Sequence, residues 1–301
     1  MLQISMTNGC DGVIEGKPTL SYRFPIMPLG VRRQLTRITP RPSVRISEMP
    51  SLRIATWNTK QGVAPRQKTP VLWEWISRNT EAQLLVLTEA RIPKEGVPGG
   101  WQLVYTQGGI GDRRRYATVI AARDGVEIQR AEYKRSDSSL VYPHPATTFA
   151  VEVFINGQIE FVVMGAYGLL HGTGNGYAEL EGIVNEYADL LEEYGTERVI
   201  VAGDFNLWPD HLLEFTEKML LADVTSQRKK FPKLREPVGG SRIWTHKNGA
   251  KCNDGARQEL DYIFVSEDLV SGLRDIRGGV DDFPDAWEMS DHAPVAATVT
   301  F

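Results

Sequence analysis

The stretch VIVAGDFN at 199–206 decides the reading of this chain. Residues 199–202 are apolar in succession, the mark of a strand buried on both faces. The run ends at Asp204 and Asn206, which lie two residues apart and so project to the same side of a strand end. A carboxylate and a carboxamide aimed at one point, beneath a strand too apolar to meet water, make a site for a metal ion or an activated water. The pattern recurs. RIATWN (53–58) runs into Asn58, LLVLTE (84–89) runs into Glu89, ELDYIFVS (259–266) opens its strand at Asp261, and SDHAPV (290–295) places Asp291 and His292 before the last strand. Five strands that deliver oxygen or nitrogen ligands from their ends are not an accident of packing.

Working outward, short apolar runs predict strands over 52–57, 84–88, 101–106, 116–122, 147–155, 159–166, 198–203, 260–265 and 293–300. LLVL, FVVMGA and VIVAG are apolar at consecutive positions, so both of their faces are buried. Apolar residues recurring every three or four positions predict helices over 68–79 and 176–194, and a third over 209–221 opens at Pro209, a first-turn proline. Many strands with few helices describe two packed sheets covered outside by helices, in one domain of about 250 residues.

Composition narrows the class. The chain has 301 residues and a net charge of −4. Residues 1–50 carry seven Lys+Arg against three Asp+Glu, which leaves the remaining 251 with 27 against 35, net −8. So acidic a body is not an extended polyanion-binding surface. No run reaches the roughly 18 apolar residues of a membrane span, and the N-terminus lacks the apolar core of a secretory signal. Cys10 and Cys252 form neither a disulfide framework nor a Cys-rich zinc site, which points to a reducing cytoplasm. Residues 1–50, with Pro18, Pro25, Pro28, Pro40, Pro42 and Pro50 and no sustained period, read as a weakly ordered extension. Met49 offers an alternative start, immediately before the first strand.

Taken in order, WN (57–58), LTE (87–89), Tyr167, GDFN (203–206), LDYIFVS (260–266) and SDHAPV (290–295) resemble the endonuclease/exonuclease/phosphatase superfamily. The resemblance runs from about Leu52 to Phe301. It implies a four-layer α/β/β/α sandwich of two mixed sheets flanked by helices, with the site where strands of both sheets end. It also implies hydrolysis of a phosphate ester by a divalent metal, Mg2+ with Mn2+ as a substitute.

Mapped residue by residue, the resemblance makes Glu89, Asn58 and Asp291 the metal-side residues, and hard oxygen donors are what Mg2+ takes. Asp204 and Asn206 would contact the attacking water and the phosphate, with Asp204 as general base. Asp261 would hold His292 and favour its charged form, a hydrogen-bond donor to the phosphate. Tyr167 would stabilise charge on the phosphate, with His171 as the alternative occupant. The glycines at 172, 174 and 176 lack the dinucleotide-binding spacing and read as a mobile loop at the site.

The resemblance points to a nuclease acting on nucleic acid. A phosphatase or phosphodiesterase on a small or lipid-linked phosphate is the alternative, and a binding protein that keeps the fold is the third reading. Arg113, Arg114, Arg115 and the basic run RKKFPKLR (228–235) could hold phosphates or simply be solvated. Trp208, Trp244 and Trp287 stand near the motifs, where they could stack on a base or pack the rim.

Overall fold

A computed structural model describes residues 50–60, 69–92, 96–97, 99–106, 117–135, 140, 142–143, 147–169, 177–195, 197–207, 221–223, 243–247 and 257–301. The extension at 1–49, His171, the triplet at 113–115, the run at 228–235 and Trp208 lie outside the described residues. So does most of the helix expected over 209–221, of which Leu221 opens a short strand instead.

The strands fall into two six-stranded sheets. The first has the order β13-β14-β1-β2-β4-β3, from β1 (Ser51–Asn58), β2 (Leu84–Ala90), β3 (Gln102–Tyr105), β4 (Ala117–Ala122), β13 (Leu273–Gly278) and β14 (Val295–Thr300). The second has the order β5-β6-β7-β8-β12-β9. Its strands are β5 (Val126–Arg130), β6 (Thr148–Ile155), β7 (Gln158–Tyr167), β8 (Val199–Asp204), β12 (Asp261–Ser266) and β9 (Leu221–Asp223). Both sheets are mixed: β1 runs parallel to β2 and β7 parallel to β8, while most other pairs are antiparallel. A ribbon of β10 (His246–Lys247) and β11 (Arg257–Gln258) lies outside both sheets and bridges to His292 through His246.

Residue alternation builds the layers. Leu52 and Ile54 of β1, Leu84 and Val86 of β2, Val163 of β7, Ile200 and Ala202 of β8 and Ile263 and Val265 of β12 fill the space between the sheets. Their neighbours along each strand face outward. Ala55, Trp57, Leu85 and Leu87 pack under α1 (Thr69–Thr80), against Leu72, Trp73 and Ile76. Val162, Met164, Val199 and Val201 pack under α2 (Tyr177–Tyr194), against Ile183, Tyr187 and Leu190. Those three recur at four and three residues, the helical period, and each buried side chain contributes roughly 1.5–3 kcal/mol. The result is the α/β/β/α sandwich expected from the sequence. No described helix is long and apolar enough to cross a membrane.

The strand pair at the centre of the second sheet depends on one glycine. Gly203 has φ +150°, and a Cβ there would lie 1.8 Å from the carbonyl oxygen of Ala166 on β7. Only a residue without a side chain lets β8 approach β7 with Ala166 opposite Gly203 and Tyr167 opposite Asp204. Gly203→Ala is therefore expected to cost about 3 kcal/mol or more, from overlap plus backbone strain. Urea unfolding measures it, and an unchanged midpoint would show that the two strands yield.

Candidate active site

Where the layer between the sheets runs out at one end, its inward-facing positions become polar. Asn58 continues the inward series 52, 54, 56 of β1; Tyr167 continues 161, 163, 165 of β7; Asp204 continues 200, 202 of β8; Asp261 precedes 263, 265 of β12. All four are buried. Glu89 is out of phase, since 84 and 86 face inward and an odd-numbered neighbour should face α1. Its backbone is left-handed, φ +47°, where the β2–β4 register shifts between Leu87 and Ala90. A bulge of this kind re-aims a side chain, and Glu89 Oε1 accepts the Tyr167 hydroxyl at 2.7 Å.

Asn206 reaches the site by a turn rather than by strand alternation. β8 ends at Asp204, and Asn206 adopts φ +52°. Its backbone N–H donates to Asp204 Oδ1 at 2.8 Å, and its amide nitrogen donates to Asp204 Oδ2 at 3.2 Å and to the Gly168 carbonyl at 2.8 Å. The expected convergence with Asp204 is present, through an Asx-type turn.

Three hydrogen bonds tie the first sheet, or the segment leading into its strand β14, to the second sheet here. Asn58 Nδ2 donates to Asp204 Oδ2 at 2.7 Å, with Glu89 Oε1 at 3.4 Å. The Tyr167–Glu89 bond is the second. In the third, His292 Nδ1 lies 2.7 Å from Asp261 Oδ2, so the ring carries its proton on that nitrogen. His292 Nε2 then faces Asp204 Oδ2 and Asp291 Oδ1, each at 4.0 Å.

The segment 290–293 is fastened on every side. Trp57 Nε1 donates to the His292 carbonyl at 2.8 Å, Ser290 Oγ donates to the Asn58 carbonyl at 2.8 Å, and Ala293 N–H donates to the Thr245 carbonyl at 2.6 Å. Thr245 Oγ1 in turn accepts the N–H groups of Leu260 and Asp261 at 3.0 and 3.1 Å.

Two site neighbours carry no sequence signal. Lys60 pairs through its ammonium with Asp291 Oδ2, and His246 Nε2 lies 3.8 Å from the same oxygen. The His246 and His292 rings are 4.5 Å apart between centroids. Lys60 follows Asn58 by two residues in a stretch with no period, and His246 lies two residues beyond Trp244 in RIWTHKNG, where the tryptophan draws the eye. Trp244 is partly buried. Trp287 packs on the α1 side of the first sheet, with Lys247 and Arg257 cations 5.5 and 5.7 Å from its ring.

Asp204 and Asp261 are directly opposite across β8 and β12 and fully buried. Burial pushes the Asp204 carboxyl up to about 7; the His292 charge opposes this and the Asp261 charge adds to it. For His292, burial alone would lower the imidazole, but Asp261, Asp204 and Asp291 overcome it and raise the ring to about 9. Asp291 behaves oppositely: burial works to raise it, yet His246, Lys60 and His292 hold it well below the ordinary carboxylate range.

No model of a known protein family matches the chain, and no curated protein matches it. Solved structures do. The endonuclease domain of TRAS1, a telomere-specific non-LTR retrotransposon, is 14% identical with TM-score 0.57, over 83% of this chain and 99% of that one. A 3′-5′ exonuclease, NExo, from Neisseria meningitidis is 16% identical with TM-score 0.56, over 83% and 100%. An AP endonuclease from Archaeoglobus fulgidus is 18% identical with TM-score 0.57, over 82% and 98%. The chain thus has the endonuclease/exonuclease/phosphatase fold.

The raised His292 sets a pH dependence. A basic group whose folded value exceeds its unfolded 6.5 contributes stability that is fully present below pH 6.5 and lost as pH rises through about 9. Asp204, raised from 3.8 to about 7, adds a penalty that accrues over that lower interval. Both slopes have the same sign. In chelator, the protein is expected to lose roughly 2–3 kcal/mol between pH 6.5 and 9, and His292→Gln to lose much less. Denaturant titrations at the two pH values compare them, and parallel behaviour of the two proteins would show that the imidazole is not charged by its neighbours.

Proposed function

We propose that the chain is a divalent-metal-dependent hydrolase of phosphodiester bonds and that its substrate is nucleic acid. The observation that carries this reading is the convergence of Asn58, Glu89, Tyr167, Asp204, Asn206, Asp261 and His292 at one end of two packed sheets. Solved structures of the same fold described as an endonuclease domain, a 3′-5′ exonuclease and an AP endonuclease support the substrate class.

The residues fit a Mg2+ or Mn2+ ion. Glu89 offers carboxylate oxygens, and Asn58 Oδ1, which accepts the Lys60 N–H at 2.8 Å, keeps a second lone pair. Asp291, the third expected donor, has one oxygen engaged by Lys60, and we place the ion on Glu89 and Asn58. A bound divalent ion would polarise the phosphoryl oxygen and offset its developing charge.

The side chains do the rest. Asp204 takes the proton of a water as its oxygen forms the new bond to phosphorus and the ester bond breaks; a carboxyl raised to about 7 is matched to that task near neutral pH. Asn58 and Asn206 hold the Asp204 carboxylate in place. His292, oriented by Asp261, donates from Nε2 to a phosphate oxygen. Tyr167 orients Glu89 through its hydroxyl. A second reading, hydrolysis of a small or lipid-linked phosphate, is favoured by the net −8 of residues 51–301. We assign the activity to this single domain, with residues 1–50 as an extension.

Chelation is expected to abolish activity and Mg2+ or Mn2+ to restore it, assayed on plasmid, single-stranded DNA, abasic duplex, RNA, sphingomyelin and inositol phosphates. Full turnover in chelator would remove the metal from the account; cleavage confined to the last two substrates would transfer it to the second reading. His292→Ala and Asp261→Ala should each lower turnover about 10²–10⁴-fold, and the double variant should be little worse than either, because the two act as one unit. Normal turnover in folded His292→Ala would refute the mechanism.

A protein beginning at Met49 should fold and keep its turnover, since every motif lies beyond residue 52. Measured against the full chain, an inactive or insoluble product would show that residues 1–48 are part of the working enzyme.

A further inference from the structure

Asp291 and His246, beside the charged His292 ring, form a corner in which a second metal ion would find two ligands. One ligand atom from each of the three residues falls within 4.8 Å of the others. Asp291 Oδ1 is buried without a hydrogen-bond partner among the described residues. His246 Nδ1 meets Gln258 Oε1 at 2.8 Å, and its Nε2 faces Asp291 Oδ2 at 3.8 Å. Imidazole nitrogen with carboxylate oxygen suits Mn2+ as well as harder ions.

Lys60 is set against that corner by its backbone. It has φ +45°, a left-handed conformation unusual for a residue other than glycine. The Asn58 side chain accepts its N–H at 2.8 Å, and the preceding Thr59 donates its N–H to the Thr88 carbonyl at 3.0 Å and its hydroxyl to the Glu89 carbonyl at 3.1 Å. The turn is thus pinned both to the expected metal-side Asn58 and to the end of β2. From it the lysine side chain, 46% exposed, reaches Asp291 Oδ2.

We infer that Lys60 is a resident cation that neutralises Asp291 and keeps a second divalent ion out, so that the chain holds a single ion, at Glu89 and Asn58. A divalent ion on Asp291 would meet the lysine ammonium on the same partly buried carboxylate, and like charges at that distance repel. The lysine supplies one positive charge where a second ion would supply two. It is covalently attached and needs no free metal. The inference rests on the metal-dependent reading above and specifies how many ions that reading involves.

Ion stoichiometry tests it without reference to activity. The full chain is stripped with chelator, dialysed and titrated with Mn2+, with calorimetry and the spin-resonance signal of free Mn2+ as readouts. The wild type and Lys60→Arg are expected to bind one ion per chain. Lys60→Gln and Lys60→Met should bind two, and the added site should vanish in Lys60→Gln/Asp291→Asn. Thermal melting confirms that each variant is folded. Two ions in the wild type, or still only one in both folded neutral variants, would overturn the role given to Lys60 while leaving the proposed function intact. No ion bound by the wild type would overturn the metal-dependent reading itself.

Discussion

Two carboxylates with no surface open to bulk solvent organise this molecule. Asp204 and Asp261 stand directly opposite one another on β8 and β12, both with no exposed surface. Like charges in that relation destabilise a strand pair, and each buried charge carries a desolvation cost that only a partner can offset. The partner is His292, set at 2.7 Å from Asp261 and 4.0 Å from Asp204. It comes from the segment that leads into β14 of the first sheet, whereas the two carboxylates belong to the second. Balancing the charge therefore also fixes how the sheets meet at this end.

Around that centre, geometry is bought with backbone strain. Glu89, Lys60 and Asn206 all adopt left-handed conformations, at φ +47°, +45° and +52°. Each costs of order 1 kcal/mol or more and persists only because its surroundings demand it. The strain turns each side chain toward a partner that regular strand geometry would deny it: Glu89 toward Tyr167, Lys60 toward Asp291, Asn206 toward Asp204. Apolar layers on either side, with Trp57 buried beneath α1 and donating to the His292 carbonyl, hold the frame against these local costs.

The sandwich was legible because its central strands are apolar on both faces, and LLVL, FVVMGA and VIVAG match β2, β7 and β8 closely. Edge elements were not, apart from β3, expected over 101–106 and found at Gln102–Tyr105. β5 reads VEIQR and β13 reads LRDIRG, each with only two or three buried side positions among charges, and β9, β10 and β11 span two or three residues apiece. Asn58, Asp204 and Asp261 face inward because they continue the apolar series of their strands. Plain alternation does not account for Glu89, whose direction depends on a bulge with no glycine to announce it, and the shared side of Asp204 and Asn206, read from strand spacing, is produced by a turn. Lys60 and His246 were invisible for a plainer reason: their partners lie far off in sequence, 231 residues away for the Lys60–Asp291 pair, and neither sits in a pattern.

His292 is a charged ring, its Nδ1 proton held by Asp261, that balances two buried carboxylates. Nitrogen-15 spectra of histidine-labelled, metal-free protein, recorded from pH 5 to 10, measure this directly. The account predicts a ring protonated on both nitrogens at pH 7, a strongly downfield Nδ1 proton that is lost in Asp261→Asn, and titration near 9. A His292 ring that is neutral at pH 7, or that titrates at the ordinary value of a solvent-exposed histidine, would contradict it.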